Sequence, residues 1–194
     1  MQKIEAVNDF VVKFANINGS GSASANELFA RAILRMGVPV SPRNIFPSNI
    51  QGLPTWFEVR VTEHGYLGRR GGVDMMVAMN PQTWDQDVRE IDPGGYLFYD
   101  SSKPLPRAKF RDDIHVRGMP LTEICNQAYS DARERQLFKN IIYVGALTAL
   151  LEDVYKRQAR RPHPPAWLCR SRGRCRCRPT PGFPRRPCRW QAWA

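Results

Sequence analysis

Cysteine and histidine are scarce in the first 158 residues of this 194-residue chain. Cys125 is the one cysteine there, and His64 and His115 are the two histidines. One cysteine cannot form an internal disulfide, and this usage is typical of a reducing compartment, so we expect a cytoplasmic protein. The two histidines are far apart in sequence and lack a cysteine partner, so we expect no metal site in this part of the chain.

Long apolar runs and catalytic signatures are also missing. No run approaches the ~20 apolar residues that cross a bilayer. Met1–Val7 is short and polar, so we expect neither a membrane partner nor a secretory signal. The chain has no P-loop and no G-x-S-x-G elbow. These absences favour a ligand-handling or subunit-interface domain over a self-sufficient enzyme.

The formal net charge of +11 comes almost entirely from the C-terminal tail. Residues 159–194 contain ten arginines and no Asp, Glu or Lys, whereas residues 1–158 contain 19 basic and 18 acidic side chains. The body of the protein is therefore nearly neutral, and its charge does not indicate a nucleic-acid partner.

The tail, residues 153–194, has the composition of a translation artefact. Asp153–Gln158 matches the translation of a transposase-end sequencing adapter, and the residues after it are rich in Arg, Pro, Ala and Gly, which GC-rich codons supply. Two alternatives stay open, an Arg-rich nucleic-acid arm and a metal knuckle built from the tail cysteines. Seven prolines and no apolar periodicity predict that the tail is unstructured. The tail cysteines are Cys169, Cys175, Cys177 and Cys188.

The first strand signal is followed by a glycine turn and a helix. Asp9–Ile17 is rich in β-branched and aromatic residues, which is typical of a strand covered on both faces. Gly19 and Gly21 permit positive φ angles, and the helix begins with Ser24 and Glu27 as a capping box. The predicted buried face of this helix comprises Ala25, Leu28, Phe29, Ala32, Ile33 and Met36.

The turn from Asn18 to Ser24 has two interpretations. Free N–H groups at the start of the helix would favour a bound anion, or the glycines merely form a tight turn. A dinucleotide fingerprint needs a third glycine where this chain has Ser24, and an acidic residue about 20 positions further on. No acidic residue lies between Glu27 and Glu58. Nicotinamide binding is therefore disfavoured.

Strand and helix signals alternate along the rest of the body. Val38–Phe46 predicts an edge strand because it contains Pro39 and Pro42. The loop of turn formers Phe46–Pro54, which contains Ser48–Gly52, is then a candidate second wall of a cleft. The alternation predicts an α/β fold with a Rossmann-like, open, mostly parallel sheet and helices on both faces. Further strands are predicted at Trp56–Thr62, Val73–Met79, Tyr96–Tyr99 and Ile114–Met119, and helices at Gln82–Ile91, Leu121–Tyr129 and Gln136–Leu151.

Two glycine-rich segments between these elements are predicted to be turns. His64–Gly72 carries Arg69 and Arg70, so it is either an exposed hairpin turn or a contact to an anionic ligand. Pro93–Gly95 is predicted to be a turn before the strand that follows it.

Six short motifs occur in order and together resemble the gamma domain of 2-oxoacid:ferredoxin oxidoreductases over residues 5–152. The resemblance is in particular to the N-terminal part of 2-oxoglutarate:acceptor oxidoreductase alpha subunits, where this domain precedes a pyrimidine-binding thiamine domain. Ser22 and Ser24 depart from the family pattern, which often has Gly or Gln there. The motifs are Phe14–Ser24, Phe46–Ile50, Arg69–Asp74, Val77–Pro81, Pro93–Leu97 and Val116–Pro120.

The resemblance implies a part in the oxidative decarboxylation of a 2-oxoacid, such as 2-oxoglutarate, to an acyl-coenzyme A, with electrons passed to ferredoxin. The complex would use thiamine diphosphate, magnesium and iron–sulfur clusters. The chain has no G-D-G…N thiamine motif and no C-x2-C-x2-C cluster run. The resemblance therefore implies a domain that is inactive alone and docks to the thiamine-binding alpha and beta parts.

Contact with coenzyme A is implied at the two loops, and the alternative is a free-standing nucleotide or coenzyme A binding module. The candidate contact residues are Asn18, Gly19, Ser20, Gly21, Ser22, Ser24, Ser48, Asn49 and Gly52.

Overall fold

The computed structural model describes residues 8–103 and 105–158, which form a six-stranded sheet and four α-helices. The strands are β1 (Asp9–Ile17), β2 (Val40–Ile45), β3 (Pro54–Thr62), β4 (Val73–Ala78), β5 (Ile91–Asp100) and β6 (His115–Met119). The helices are α1 (Ser22–Arg35), α2 (Trp84–Arg89), α3 (Leu121–Ala128) and α4 (Ala132–Gln158), with a 3₁₀ turn at Arg107–Lys109.

The strands lie in the order β2-β3-β1-β4-β5-β6. The pairs β1–β4, β4–β5 and β5–β6 are parallel, whereas β3 runs antiparallel to both of its neighbours, β1 and β2. Five of these six strands therefore run in one direction, which confirms the predicted α/β fold with an open, mostly parallel sheet. The reversal at β3 follows from the eight-residue connection after β2, because a crossover between parallel strands needs about a dozen residues or more.

Side chains of β1 enter two apolar layers on opposite faces of the sheet. Val12 and Phe14 pack in the layer under α1 and α4, where the Phe14 ring lies 5.5 Å from the ring of Phe29. Ala15 faces the other layer, which contains Trp84 of α2. Because successive side chains of a strand point to opposite faces, both faces of β1 are buried, and the prediction of helices on both faces is confirmed.

Two proline-containing segments have different outcomes. The strand β2, which contains Pro42, lies at an edge of the sheet as predicted. Pro93–Gly95 is part of β5, so the predicted turn there is wrong. A Cβ at Gly95 would lie 2.8 Å from the Asp74 carbonyl oxygen, so glycine permits the close approach of β4 and β5 where their register shifts.

Helix α1 begins at Ser22 with Gly21 as its N-cap, so the predicted capping box of Ser24 and Glu27 is wrong. Half of the predicted buried face is also wrong, because α4 packs against the side of α1 that carries Asn26. The buried residues of α1 are Ser22, Ala25, Asn26, Phe29, Ala30 and Ile33, while Leu28, Ala32 and Met36 are exposed.

Helix α4 continues to Gln158, beyond Leu151, where we predicted its end. Asp153–Gln158 contains no glycine or proline, so no backbone preference in this run ends the helix. The prediction that the tail is unstructured is therefore wrong for residues 153–158. For residues 159–194, which include the tail cysteines, the same prediction falls outside the described residues. Although α4 spans 27 residues, no helix in the described ranges is long and apolar enough to cross a membrane.

Candidate functional site

A cavity of about 380 Å³ opens at the carboxyl end of β1. Its walls come from the end of β1, the turn before α1, the region where β2 ends and the start of β3. Open α/β sheets bind ligands at the carboxyl ends of their parallel strands, and the volume falls within the range of small-molecule sites. This cavity is the candidate site.

The turn before α1 depends on two glycines with left-handed backbone conformations. Gly19 has a φ of 84° and Gly21 a φ of 74°. A Cβ at Gly19 would lie 2.7 Å from Cγ of Gln51, and a Cβ at Gly21 would lie 3.0 Å from Cδ2 of Leu137. Both the conformation and the lack of space therefore require glycine, which favours the tight-turn interpretation without excluding a ligand.

The Ser48–Gly52 loop is joined to this turn by backbone hydrogen bonds. The Asn18 N–H donates to the Leu53 carbonyl oxygen at 2.9 Å, and the Gly52 N–H donates to the Asn18 carbonyl oxygen at 3.0 Å. The Asn18 side chain adds a third bond, from Nδ2 to the Ile50 carbonyl oxygen at 3.1 Å. The structure thus brings together the two loops that the sequence suggested as walls of one cleft.

The predicted contact residues divide into two groups. Asn18, Gly19, Gly21 and Ser22 line the cavity. The others shape the loops or lie outside the lining; Ser20 Oγ, for example, donates to Ser22 Oγ at 3.0 Å. Contact of any of them with a ligand stays a prediction. The residues outside the lining are Ser20, Ser24, Ser48, Asn49 and Gly52.

Buried carboxamides of the site were missed by the sequence interpretation. Asn16, at the end of β1, is 3% exposed and lines the cavity, and its Nδ2 has no hydrogen-bond partner among the described residues. Asn26 is 1% exposed and its Oδ1 accepts a 2.7 Å hydrogen bond from the Tyr143 hydroxyl. The available signal was an asparagine at the end of an apolar strand and another between Ala25 and Phe29 on the helix.

Helix α4 holds the turn in place from outside the sheet. The Asn140 side chain donates from Nδ2 to the Ser20 carbonyl oxygen at 2.9 Å. Tyr143 is fully buried, and this burial raises the pKa of its hydroxyl. Its proton therefore stays in place at physiological pH and is available for the bond to Asn26.

Among the described residues, no charged side chain lines the cavity. Its polar groups are carboxamides and hydroxyls, and Phe46, Trp56 and Phe57 provide aromatic walls. Positive potential comes from the N-terminus of α1, where Gly21 offers no side chain to cap the first N–H groups. The polar groups of the described lining are therefore suited to binding a polar group of a ligand.

A second polar cluster lies at the same edge of the sheet, where β5 ends. The Asp100 carboxylate accepts hydrogen bonds from Ser102 Oγ at 2.7 Å and from Thr122 Oγ1, and it pairs with Lys139 Nζ at 2.6 Å. Burial alone would raise the pKa of Asp100, but the hydrogen bonds from Lys139, Thr122 and Ser102 outweigh it and hold the pKa well below its ordinary value. These contacts connect β5, α3 and α4, so the cluster is structural.

The arginines of the 64–72 loop are occupied by carboxylates of the same chain. Arg69 makes a two-point contact with the buried Glu58, with nitrogen–oxygen distances of 3.1 and 2.9 Å. Arg70 pairs with Asp74. Both guanidinium groups already have anionic partners, which favours the turn interpretation over an anionic ligand.

Comparison with known protein families finds a match to one family over most of the chain. The family model for pyruvate ferredoxin/flavodoxin oxidoreductase matches residues 11–161. Subunit alpha of 2-oxoacid:ferredoxin oxidoreductase 2 from Aeropyrum pernix is 28% identical over 103 residues, which cover 53% of this chain and 16% of that protein. The chain therefore spans only about a sixth of the length of this curated relative.

Solved structures that share the fold include the following three. The 2-oxoglutarate:ferredoxin oxidoreductase of Magnetococcus marinus, solved with 2-oxoglutarate, coenzyme A and succinyl-CoA bound, has a TM-score of 0.64 at 22% identity, over 73% of this chain and 24% of that one. The pyruvate oxidoreductase subunit PORC of Thermotoga maritima has a TM-score of 0.60 at 21% identity, and the match covers 81% of this chain and 87% of that subunit. The keto/oxoacid ferredoxin oxidoreductase gamma subunit of Geobacter sulfurreducens has a TM-score of 0.57 at 17% identity, and the match covers 82% of this chain and 89% of that subunit.

Proposed function

The chain belongs to the family of pyruvate ferredoxin/flavodoxin oxidoreductases, and on that premise we propose that it is the gamma-type domain of a thiamine-diphosphate-dependent 2-oxoacid:ferredoxin oxidoreductase. The complex would convert a 2-oxoacid, 2-oxoglutarate in our proposal, to an acyl-coenzyme A and pass electrons to ferredoxin. This chain would dock to the thiamine-binding alpha and beta parts, contact coenzyme A and be inactive alone.

The cavity at the end of β1 and the apolar surface around it carry this proposal. Phe46 lines the cavity, and Ile50 and Leu53 belong to the loop that is hydrogen-bonded to Asn18. Leu137 contacts the turn on the other side. All four apolar side chains are exposed, and exposed apolar groups around a polar site are typical of a surface that a partner covers. We propose that the thiamine-binding part of the complex covers them.

The cofactors of the complex are assigned to its other parts. The described residues contain no group of three or more His, Cys, Asp or Glu side chains that could hold a metal. They therefore do not fit the magnesium of thiamine diphosphate or an iron–sulfur cluster. We propose that this chain contributes a docking surface and the polar cavity at the edge of its sheet.

The test combines association with ligand binding. The full chain is mixed with the purified thiamine-binding alpha and beta parts from the same source, and complex formation and 2-oxoglutarate-dependent ferredoxin reduction are measured. We expect no activity from the chain alone and activity only in the complex. Ile50→Ser should weaken association several-fold, because Ile50 is 65% exposed beside the site, whereas Leu67→Ser, 74% exposed on the 64–72 loop, should not.

A free-standing coenzyme A or nucleotide module is the second candidate, favoured by a cavity that this chain forms by itself. Calorimetry with coenzyme A, NAD and NADP separates the two candidates. Binding of coenzyme A without association with the alpha and beta parts would favour the free-standing module. Tight binding of NAD would overturn both the docking role and the proposed contact with coenzyme A.

A further inference from the structure

We propose that the cavity at the end of β1 binds an uncharged, amide-like group, one that both donates and accepts hydrogen bonds, and does not bind a phosphate. This inference rests on the proposed contact with coenzyme A, whose pantetheine amides and adenine ring both have this chemistry. It states which part of such a ligand enters the cavity.

The polar groups of the lining are complementary to an amide. Asn16, Asn18, Asn26 and Asn44 each present a carboxamide, which carries both donors and acceptors. Thr55 adds a hydroxyl group. Within residues 8–103 and 105–158, no lysine, arginine or histidine lines the cavity. A phosphate that entered the cavity would lose part of its hydration without gaining a cationic side chain as a partner. Burying an unpaired charge is far more costly than burying a hydrogen-bonded neutral group.

The Asn16 amide gives the most direct indication. This side chain is 3% exposed and lies beside the Tyr143 hydroxyl, but its Nδ2 makes no hydrogen bond of normal geometry among the described residues. A buried donor without an acceptor is destabilising, so such groups in native proteins usually mark a bound water or ligand. A neutral carbonyl oxygen or ring nitrogen would satisfy this donor without bringing a charge into the site.

The N-terminus of α1 must be weighed against this conclusion, since free N–H groups there favour anions. Those N–H groups can equally donate to a neutral carbonyl oxygen. The remaining walls, Phe46 and Phe57 among them, are apolar and add no group that would pair with a charge. The balance of donors, acceptors and apolar walls therefore favours the uncharged group.

The test is a fragment titration of the full, ¹⁵N-labelled chain followed by NMR. Pantetheine and adenosine represent the two uncharged parts of coenzyme A, and pyrophosphate and 3′,5′-ADP represent the charged parts. We expect pantetheine or adenosine to shift the side-chain amide signals of Asn16, Asn18 and Asn26, with an affinity that does not change with salt. Pyrophosphate should leave these signals unchanged.

A charge introduced at the mouth of the cavity provides the matched variant. Asn44→Lys adds a cation within the lining, and Asn126→Lys adds the same charge at an exposed position of α3 outside it. We expect Asn44→Lys to weaken binding of the uncharged fragment several-fold and Asn126→Lys to leave it unchanged.

The outcomes distinguish this inference from the proposed function. If only the phosphate-bearing fragments bind, if salt weakens them and if Asn44→Lys tightens them, the inference is wrong while the contact with coenzyme A stands. If neither coenzyme A nor any fragment shifts the signals, both fail. If an uncharged fragment binds but intact coenzyme A does not, the inference holds and the proposed ligand is wrong.

Discussion

Replacement of Asp100 by asparagine tests whether the cluster at the end of β5 holds α3 and α4 on the sheet. The Asp100 and Lys139 side chains keep only 16% and 22% of their surface exposed, and their charged atoms lie 2.6 Å apart. Asp100→Asn removes the charge-assisted bond and leaves the Lys139 ammonium group without an anionic partner. Because the pair is only partly buried, we expect a loss of about 2 kcal/mol in the free energy of unfolding at pH 7. For a domain of this size, that loss corresponds to a decrease of about 4–8 °C in Tm.

The pH dependence gives this prediction its specificity. The pKa of Asp100 is lower in the folded protein than its ordinary value, so the folded state favours the ionised carboxylate. The stabilisation is therefore fully present above the unfolded pKa of about 3.9 and is lost as the pH falls toward the folded pKa. Between pH 7 and pH 3 the wild-type protein should lose about 1.3 kcal/mol from this group, while Asp100→Asn loses nothing from it.

Urea unfolding of both proteins at pH 7, 5 and 3 measures the difference. We expect equal differences at pH 7 and pH 5 and a smaller one at pH 3. Asp113→Asn is the matched control, because Asp113 also has a lowered pKa but pairs with Arg111 at a more exposed position, where 48% of the Asp113 side chain is exposed. Screening by water should make its effect much smaller. The reasoning is refuted if Asp100→Asn is no less stable than wild type at pH 7, or if the difference is the same at pH 3.

Three further predictions concern the turn before α1, the Tyr143–Asn26 hydrogen bond and the buried thiol of α3. Gly21→Ala places a Cβ on a residue of left-handed conformation and against Leu137, so urea unfolding should show a loss of about 1–2 kcal/mol in the free energy of unfolding. The control Gly145→Ala, in a helix with open space around the residue, should instead raise the free energy of unfolding by about 0.5–1 kcal/mol. Equal effects of the two substitutions would contradict this account. Tyr143→Phe leaves the buried Asn26 oxygen unpaired and should cost about 1–3 kcal/mol in the same assay; no loss would mean that the bond is not needed. Burial raises the pKa of the Cys125 thiol and shields it from reagents. Alkylation at pH 7.5, mapped by mass spectrometry, should therefore be much slower in the native protein than in urea. Equal rates would show that the thiol is accessible in the native protein.

Strand β1 shows what local sequence can predict. Its observed bounds, Asp9–Ile17, coincide with those expected from the run of β-branched and aromatic residues. That prediction needed no knowledge of neighbours, because a strand that is covered on both faces has apolar residues at nearly every position. The turn after β1 was also predictable from local sequence, because glycine readily adopts the left-handed conformations found at Gly19 and Gly21.

The composition of the cavity depended instead on the reversal at β3. An antiparallel strand begins at the edge of the sheet where its parallel neighbours end. With β3 between β2 and β1, Thr55 and Trp56 at its start therefore meet the ends of both neighbours. A sheet with all strands parallel would place the start of β3 at the opposite edge. The two loops of the site could be inferred from the sequence, but the contribution of β3 could not, because it depends on which strands pair.

The two buried asparagines show why helix periodicity alone could not find the site. Periodicity counts apolar residues, so the predicted buried face included Leu28 and did not include Asn26, whereas in the structure Asn26 is buried and Leu28 is exposed. The partner that makes Asn26 a core residue is Tyr143, 117 positions away in sequence. A buried asparagine with such a partner is explained by the fold alone. Asn16 is also buried and lies beside the same Tyr143 hydroxyl, but its Nδ2 makes no hydrogen bond of normal geometry among the described residues. The difference between these two residues is the observation from which we place the proposed ligand beside Asn16.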